Sequence, residues 1–87
     1  MKYFPPSPSE IFLPPLPAPS KVRGHHLEVL FDVDVDGRVI GEPKFNKTSD
    51  KDYNTRLLTV LKSMRFRPAT RLDGTPIRAP YPMSYEL

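Results

Sequence analysis

The clearest pattern in the chain is an alternation over positions 26–35, with apolar residues at every odd position. A period of two residues predicts a β-strand with one buried face. Asp36-Gly37 follows directly, and an Asp-Gly pair between two strand patterns predicts a hairpin in which both central residues have positive φ. The return strand is expected over positions 38–45. Pro43 favours an edge position for it, because proline has no N–H to donate to a ladder.

The next periodic segment has the spacing of an amphipathic helix. Thr48-Ser49-Asp50 predicts its start, because Ser49 or Asp50 can accept hydrogen bonds from the free N–H groups of the first turn. Apolar residues then recur three and four positions apart, and Pro68 predicts the end. The expected apolar face consists of Tyr53, Leu57, Leu58, Val60, Leu61 and Met64.

A second alternating segment over positions 77–87 predicts a last strand, after a turn at positions 72–75. The element order β-β-α-β predicts an α+β fold. We expect a three-stranded antiparallel sheet in the order second, first, third, with one main helix packed on one face. The expected core contains Val29, Phe31, Val33, Leu57, Leu61, Phe66 and Tyr81 or Met83.

The first part of the chain has a different composition. Seven of the twelve prolines lie between Pro5 and Pro19, which predicts an extended arm. The chain is therefore divided into a proline-rich arm, 1–23, and a folded domain, 24–87. We expect residues 1–10 to be mobile and part of the apolar stretch 11–17 to contact the domain.

Several kinds of chemistry have no residues to support them. The chain has 87 residues and no cysteine, which predicts one domain without disulfides or thiolate metal sites. The adjacent His25 and His26 point to opposite faces of a strand, and the stripe Asp32, Asp34 and Asp36 is typical of a solvated strand face. No catalytic triad, phosphate loop or acid/base pair is recognisable. We predict no enzymatic activity, no cofactor, no metal and no membrane span.

The two prolines of the last strand indicate which of its edges is free. N–H and C=O groups of one residue point to the same side of an antiparallel strand, and the side alternates along the chain. Pro80 and Pro82 share a parity, so their missing donors are expected on the outer edge, away from the first strand. The candidate partner-binding residues on this edge are Arg78, Pro80, Pro82, Ser84 and Glu86.

Three short stretches together resemble the C-terminal domain of TonB-type energy transducers. Residues 29–39 resemble the family's first hairpin, residues 63–69 its helix end followed by R-[FWY]-x-P-A, and residues 74–76 its Gly-x-Pro. The sequence departs from the family before position 25, where a Tyr-Pro and a short helix are usual. The family's membrane anchor and its long Pro/Lys-Glu spacer do not occur in these residues either.

The resemblance implies a protein–protein interaction module of the periplasm of a Gram-negative bacterium, with a leader removed or an anchor supplied by a partner. In the family, a segment of an outer-membrane receptor adds as a strand to the last strand. The implied partner is a protein or peptide of the cell envelope, and the same pairing would allow a weak homodimer through an edge strand. One alternative is a structural or adaptor module of an envelope assembly that uses the proline-rich arm.

The remaining alternative is a basic nucleic-acid binder. The net charge is +3, and the second half of the chain carries Arg65, Arg67, Arg71 and Arg78. Nucleic-acid binders usually show a denser basic run with interleaved aromatic residues. This alternative is therefore less favoured than a protein partner.

Overall fold

The computed structural model describes residues 3–9 and 16–87. In this part of the chain one α-helix and several antiparallel sheets are present, so the predicted α+β class is confirmed. The elements are β1 (Tyr3–Phe4), β2 (Ser7–Pro8), a 3-10 turn (Ser20–Val22), β3 (His26–Val33), β4 (Lys44–Phe45), α1 (Lys51–Ser63), β5 (Phe66–Arg67), β6 (Ala69–Arg71), β7 (Pro76–Ile77) and β8 (Ala79–Glu86).

The strands differ from the predicted single sheet. The strands within the described residues form three sheets, with the orders β1-β6-β7, β2-β5 and β4-β3-β8. The expected return strand over 38–45 shrinks to the two residues of β4, and Val39 makes only an isolated bridge to Val33. Gly41, with φ of 64°, and the buried Pro43 interrupt the ladder between these points.

The core lies between α1 and one face of the β4-β3-β8 sheet. The odd residues of β3 are buried, and its even residues face away from the core. Phe66 lies between two other rings, with centroid distances of 5.1 Å to Phe31 and 5.3 Å to Tyr81. The predicted core is confirmed for Val29, Phe31, Val33, Leu57, Leu61 and Phe66, whereas Tyr81 and Met83 are only half-buried.

The predicted helix start is confirmed at Asp50. Its carboxylate accepts a hydrogen bond from the N–H of Tyr53 at 3.2 Å, which satisfies one of the free donors of the first turn. A second link fixes the same end, since the Thr48 hydroxyl donates to the Asn54 side-chain oxygen at 2.6 Å. Leu58 is half-buried, so the apolar face of α1 is narrower than its sequence predicts.

Both Asp-Gly pairs form tight hairpins of the same geometry. In the first, the C=O of Asp34 accepts from the N–H of Gly37 at 3.0 Å, and the N–H of Asp34 donates to Arg38 at 2.8 Å. No non-glycine residue of the described chain has positive φ, so Asp36 does not. The prediction of a turn with two positive-φ residues is therefore wrong. The loop is one residue longer, a type I turn followed by a left-handed glycine.

The proline-rich arm is engaged over residues 3–9. β1 pairs with β6 and β2 pairs with β5, and the N–H of Ser9 donates to the carbonyl of Arg65 at 2.9 Å. The expectation of a mobile segment is thus wrong for these residues. Strands this short need few N–H donors, so the prolines of the arm do not prevent the pairing. Leu16 packs against the core, and its carbonyl accepts from the Tyr53 hydroxyl at 2.8 Å. Most of the apolar stretch, residues 11–15, lies outside the described residues.

Candidate protein-binding edge

β8 pairs with the central strand on one side only. Its eight residues lie antiparallel to β3, with Pro80 opposite Asp32 and Pro82 opposite Leu30. Among the described residues no strand pairs with the other side of β8, which we call the outer edge. This is the longest unpaired strand edge in the described part of the chain.

The hydrogen bonds of β8 determine which residues face the outer edge. Leu87 donates to the carbonyl of His25 at 3.0 Å, so the odd residues of this strand turn their backbone groups toward β3. The even residues therefore turn theirs outward. At Pro80 and Pro82 only a carbonyl is available, because proline has no N–H.

The structure brings all five candidate residues onto this edge, and their side chains are exposed. The edge offers carbonyl acceptors along its length, but donors only at its two ends. That these residues bind a partner stays a prediction. The five are Arg78, Pro80, Pro82, Ser84 and Glu86.

An ion pair fixes one end of the edge. The Nε of Arg78 donates to the two carboxylate oxygens of Asp32 at 3.0 and 3.1 Å, and its Nη2 donates to Oδ2. This hydrogen bonding lowers the pKa of Asp32 and raises that of Arg78. The guanidinium is thus paired with a carboxylate of the neighbouring strand, while its side chain is still 62% exposed.

A second pair lies at the other end. His26 Nδ1 lies 2.5 Å from Glu86 Oε1, and His26 Nε2 lies 3.5 Å from Glu28 Oε1. The hydrogen bond to Glu86, and then the negative charges of both glutamates, raise the pKa of His26 above its ordinary value. Because the folded-state pKa is the higher one, this pairing stabilises the fold below about pH 6.5. The contribution is lost as the pH rises through the raised pKa.

Replacing Glu86 with glutamine should lower the pKa of His26 toward its ordinary value, because the strongest acceptor of the imidazolium proton loses its charge. Proton NMR titration of the imidazole measures this change directly. Glu42→Gln is the control, since Glu42 lies beside the opposite edge strand, away from the described contacts of His26. An unchanged His26 pKa in Glu86→Gln would show that this pair does not form in solution.

Leu30 belongs to the same surface, although it is not among the predicted site residues. It lies on the exposed face of the sheet beside Pro82, and its side chain is 47% exposed. A signal for it exists in the sequence, because Leu30 is the only apolar residue at the even positions of 26–34. Together with the prolines of β8 it gives this face an apolar centre between two charged pairs.

The carboxylates and histidines of the first hairpin are used in local contacts. His25 Nε2 lies 3.0 Å from the carbonyl of Asn46, whereas the imidazole of His26 contacts Glu28 and Glu86. Asp34 and Asp36 accept hydrogen bonds from the backbone N–H groups of Val35 and Arg38. No group of three or more potential metal ligands is assembled among the described residues.

The other basic residues of the second half lie away from this edge. Arg67 belongs to β5 and Arg71 to β6, and Arg65 bridges to Arg38. They belong to other segments than Arg78 and form no continuous basic strand with it. None of the helices in residues 3–9 and 16–87 has the length and apolar character needed to cross a bilayer.

Comparison of the chain with protein-family models, curated proteins and solved structures finds no match. The likeness to TonB C-terminal domains therefore rests on the three short sequence stretches. The geometry of the outer edge stands independently of that likeness.

Proposed function

We propose that this chain is a protein-interaction module that binds an extended peptide segment of a cell-envelope partner by strand addition. The observation that carries the proposal is the eight-residue outer edge of β8, which no strand of the described chain covers. Unpaired backbone groups on such an edge are a template for another strand. The periplasmic location and a role beside outer-membrane receptors in transport rest on the sequence resemblance.

The edge favours particular contacts with an added strand. Ser84 and Glu86 can donate their N–H groups, and the carbonyls of Pro80 and Pro82 can accept from the partner. The ladder is weakest at its centre, where two donors are missing. A partner side chain opposite Pro82 can pack on the proline ring, which itself lies beside the exposed Leu30, so apolar contact is available where hydrogen bonds are fewest.

The same geometry makes self-association weak. Two copies of β8 paired antiparallel about Pro82 would place Arg78 of each copy opposite Glu86 of the other. In that register the central pair is proline against proline and makes no hydrogen bond. The prolines therefore restrain homodimerisation and leave the edge for a partner that supplies its own donors.

Replacing both Pro80 and Pro82 with threonine should strengthen pairing at the outer edge, because two N–H donors are restored there. Each added hydrogen bond contributes about 0.5–1.5 kcal/mol net. For a heterologous strand, we expect an affinity gain of roughly 5- to 150-fold for the two together. Self-association, measured by sedimentation equilibrium, should rise as well. Pro76→Thr in β7 is the matched control and should leave both unchanged.

Hydrogen exchange of the free monomer gives an independent test. The N–H groups of Ser84 and Glu86 should exchange rapidly, since they face solvent in the structure. Protection of both amides in the monomer would mean that the outer edge is already occupied within the chain. The proposed binding site would then be wrong.

The two alternatives predict different results. For the adaptor alternative, a partner should perturb residues 3–9, which are paired with β5 and β6 in the structure. For the nucleic-acid alternative, affinity for a DNA or RNA oligonucleotide should fall steeply with salt. Perturbation confined to positions 77–87 by a protein partner supports strand addition.

A further inference from the structure

A groove of about 670 Å³ lies at the other edge of the same sheet, between β4 and α1. Its floor is apolar and contains Pro43, Phe45 and Leu58. Phe45 and Leu58 are only half-buried, although side chains of their kind are usually covered. The groove lies across β3 from the outer edge of β8 and shares no residue with it.

The edge of β4 gives this groove backbone groups as well. Even residues of β3 turn toward β4, since the carbonyl of Glu28 accepts from the N–H of Asn46 at 3.4 Å. Lys44, opposite Leu30, therefore turns its backbone groups inward to β3, and Phe45 turns its own toward the groove. An extended chain in the groove would meet one free N–H and one free C=O at Phe45.

The rim of the groove is strongly basic. Three exposed lysines line it, Lys44, Lys47 and Lys51, against a single carboxylate, Glu42. None of the three forms an ion pair within 4.0 Å with a carboxylate of the described residues. Three like charges around an apolar floor are complementary to a negative ligand that carries an apolar group.

We propose that this groove binds an acidic protein segment in extended conformation, with one bulky apolar side chain seated on Phe45 and Leu58. Carboxylates on either side of that residue would pair with the three lysines. An extended polypeptide presents an N–H and a C=O at the spacing of a strand, so it can pair with the free backbone groups at Phe45 as a further strand of the sheet. The module would thus hold two different segments, one at each edge of its largest sheet.

The probe for this site is a fluorescein-labelled pentapeptide with a leucine between two pairs of acidic residues. At low salt it should shift amide resonances at positions 43–47 and 51–58 and leave 77–87 unchanged. Lys47→Glu should weaken binding by roughly fivefold or more, as expected when a favourable charge pair becomes a like-charge pair. Lys62→Glu carries the same charge change in the last turn of α1, away from the groove, and should have little effect.

Further measurements test the contributions of the apolar side chain, of the acidic charges and of the polypeptide backbone. A peptide with serine in place of its leucine should bind roughly tenfold more weakly, and a peptide with lysines in place of its acids should not bind. Equal binding by wild type and Lys47→Glu, or shifts confined to 77–87, would overturn the groove site. Stronger binding of an oligonucleotide of equal charge would overturn the peptide class. Since the readouts at 43–58 and 77–87 are separate, failure here leaves the outer edge of β8 to its own tests.

Discussion

Phe31→Ala should lower the free energy of unfolding by about 3–5 kcal/mol, the usual cost of removing a buried aromatic side chain. Phe31 is 1% exposed at the middle of the central strand, and its ring packs on Phe66. A domain of this size has only about 5–15 kcal/mol of stability in total. We expect the variant to be largely unfolded at elevated temperature, as measured by urea titration and thermal melting.

Leu30→Ala is the matched control for that experiment. Leu30 directly precedes Phe31 in the same strand but faces away from the core and is 47% exposed. Its replacement should cost less than about 1 kcal/mol. Equal melting of the two variants would mean that the assigned buried face of β3 is wrong.

Gly37→Ala is the second substitution with a large expected effect. Gly37 has φ of +84°, and a Cβ there would lie 1.9 Å from the carbonyl oxygen of Phe66. The clash is with backbone, so no side-chain rotation relieves it. The same approach supports a hydrogen bond, because the N–H of Phe66 donates to the carbonyl of Gly37 at 2.9 Å. We expect a loss of at least about 3 kcal/mol of stability.

Gly74→Ala separates the two causes of that loss, which are the positive φ and the clash of a Cβ with the Phe66 carbonyl. Gly74 occupies the equivalent position of the other Asp-Gly turn, with φ of +91°, but a Cβ there would have no other atom within 4 Å beyond its chain neighbours. Only the cost of the left-handed conformation applies there, about 1 kcal/mol. Equal destabilisation of the two variants, measured by urea titration, would show that β5 does not approach the first turn closely.

Much of the fold is predictable from the sequence, because long elements leave a periodic pattern. β3, α1 and β8 each bury one face, so their apolar residues recur at the period of their structure. The strands that were missed, such as β1 and β2, have two residues each. An element of two residues has no period to detect. Its pairing depends on segments far along the chain, so the prolines of the arm alone do not predict it.

The candidate edge was partly predictable for a different reason. The parity of Pro80 and Pro82 determines which side of β8 can be unpaired, and the observed register agrees with it. The groove beside β4 was not predictable. It lies where the return strand is interrupted at Gly41 and Pro43 and where Leu58 of α1 is only half-buried, which only the packed structure reveals.

The pairing of β3 with β8 also determines how this chain must fold. The contacts between them join residues 46 positions apart at Asp32 and Arg78, and 60 apart at His26 and Glu86. Pairing over such separations is slow compared with local turns and helices. At about 5–20 residues per second of synthesis, β3 waits roughly 2–12 s for its main partner. During that interval its apolar face and one ladder edge are open to neighbouring nascent chains, so β3 is exposed to association during synthesis.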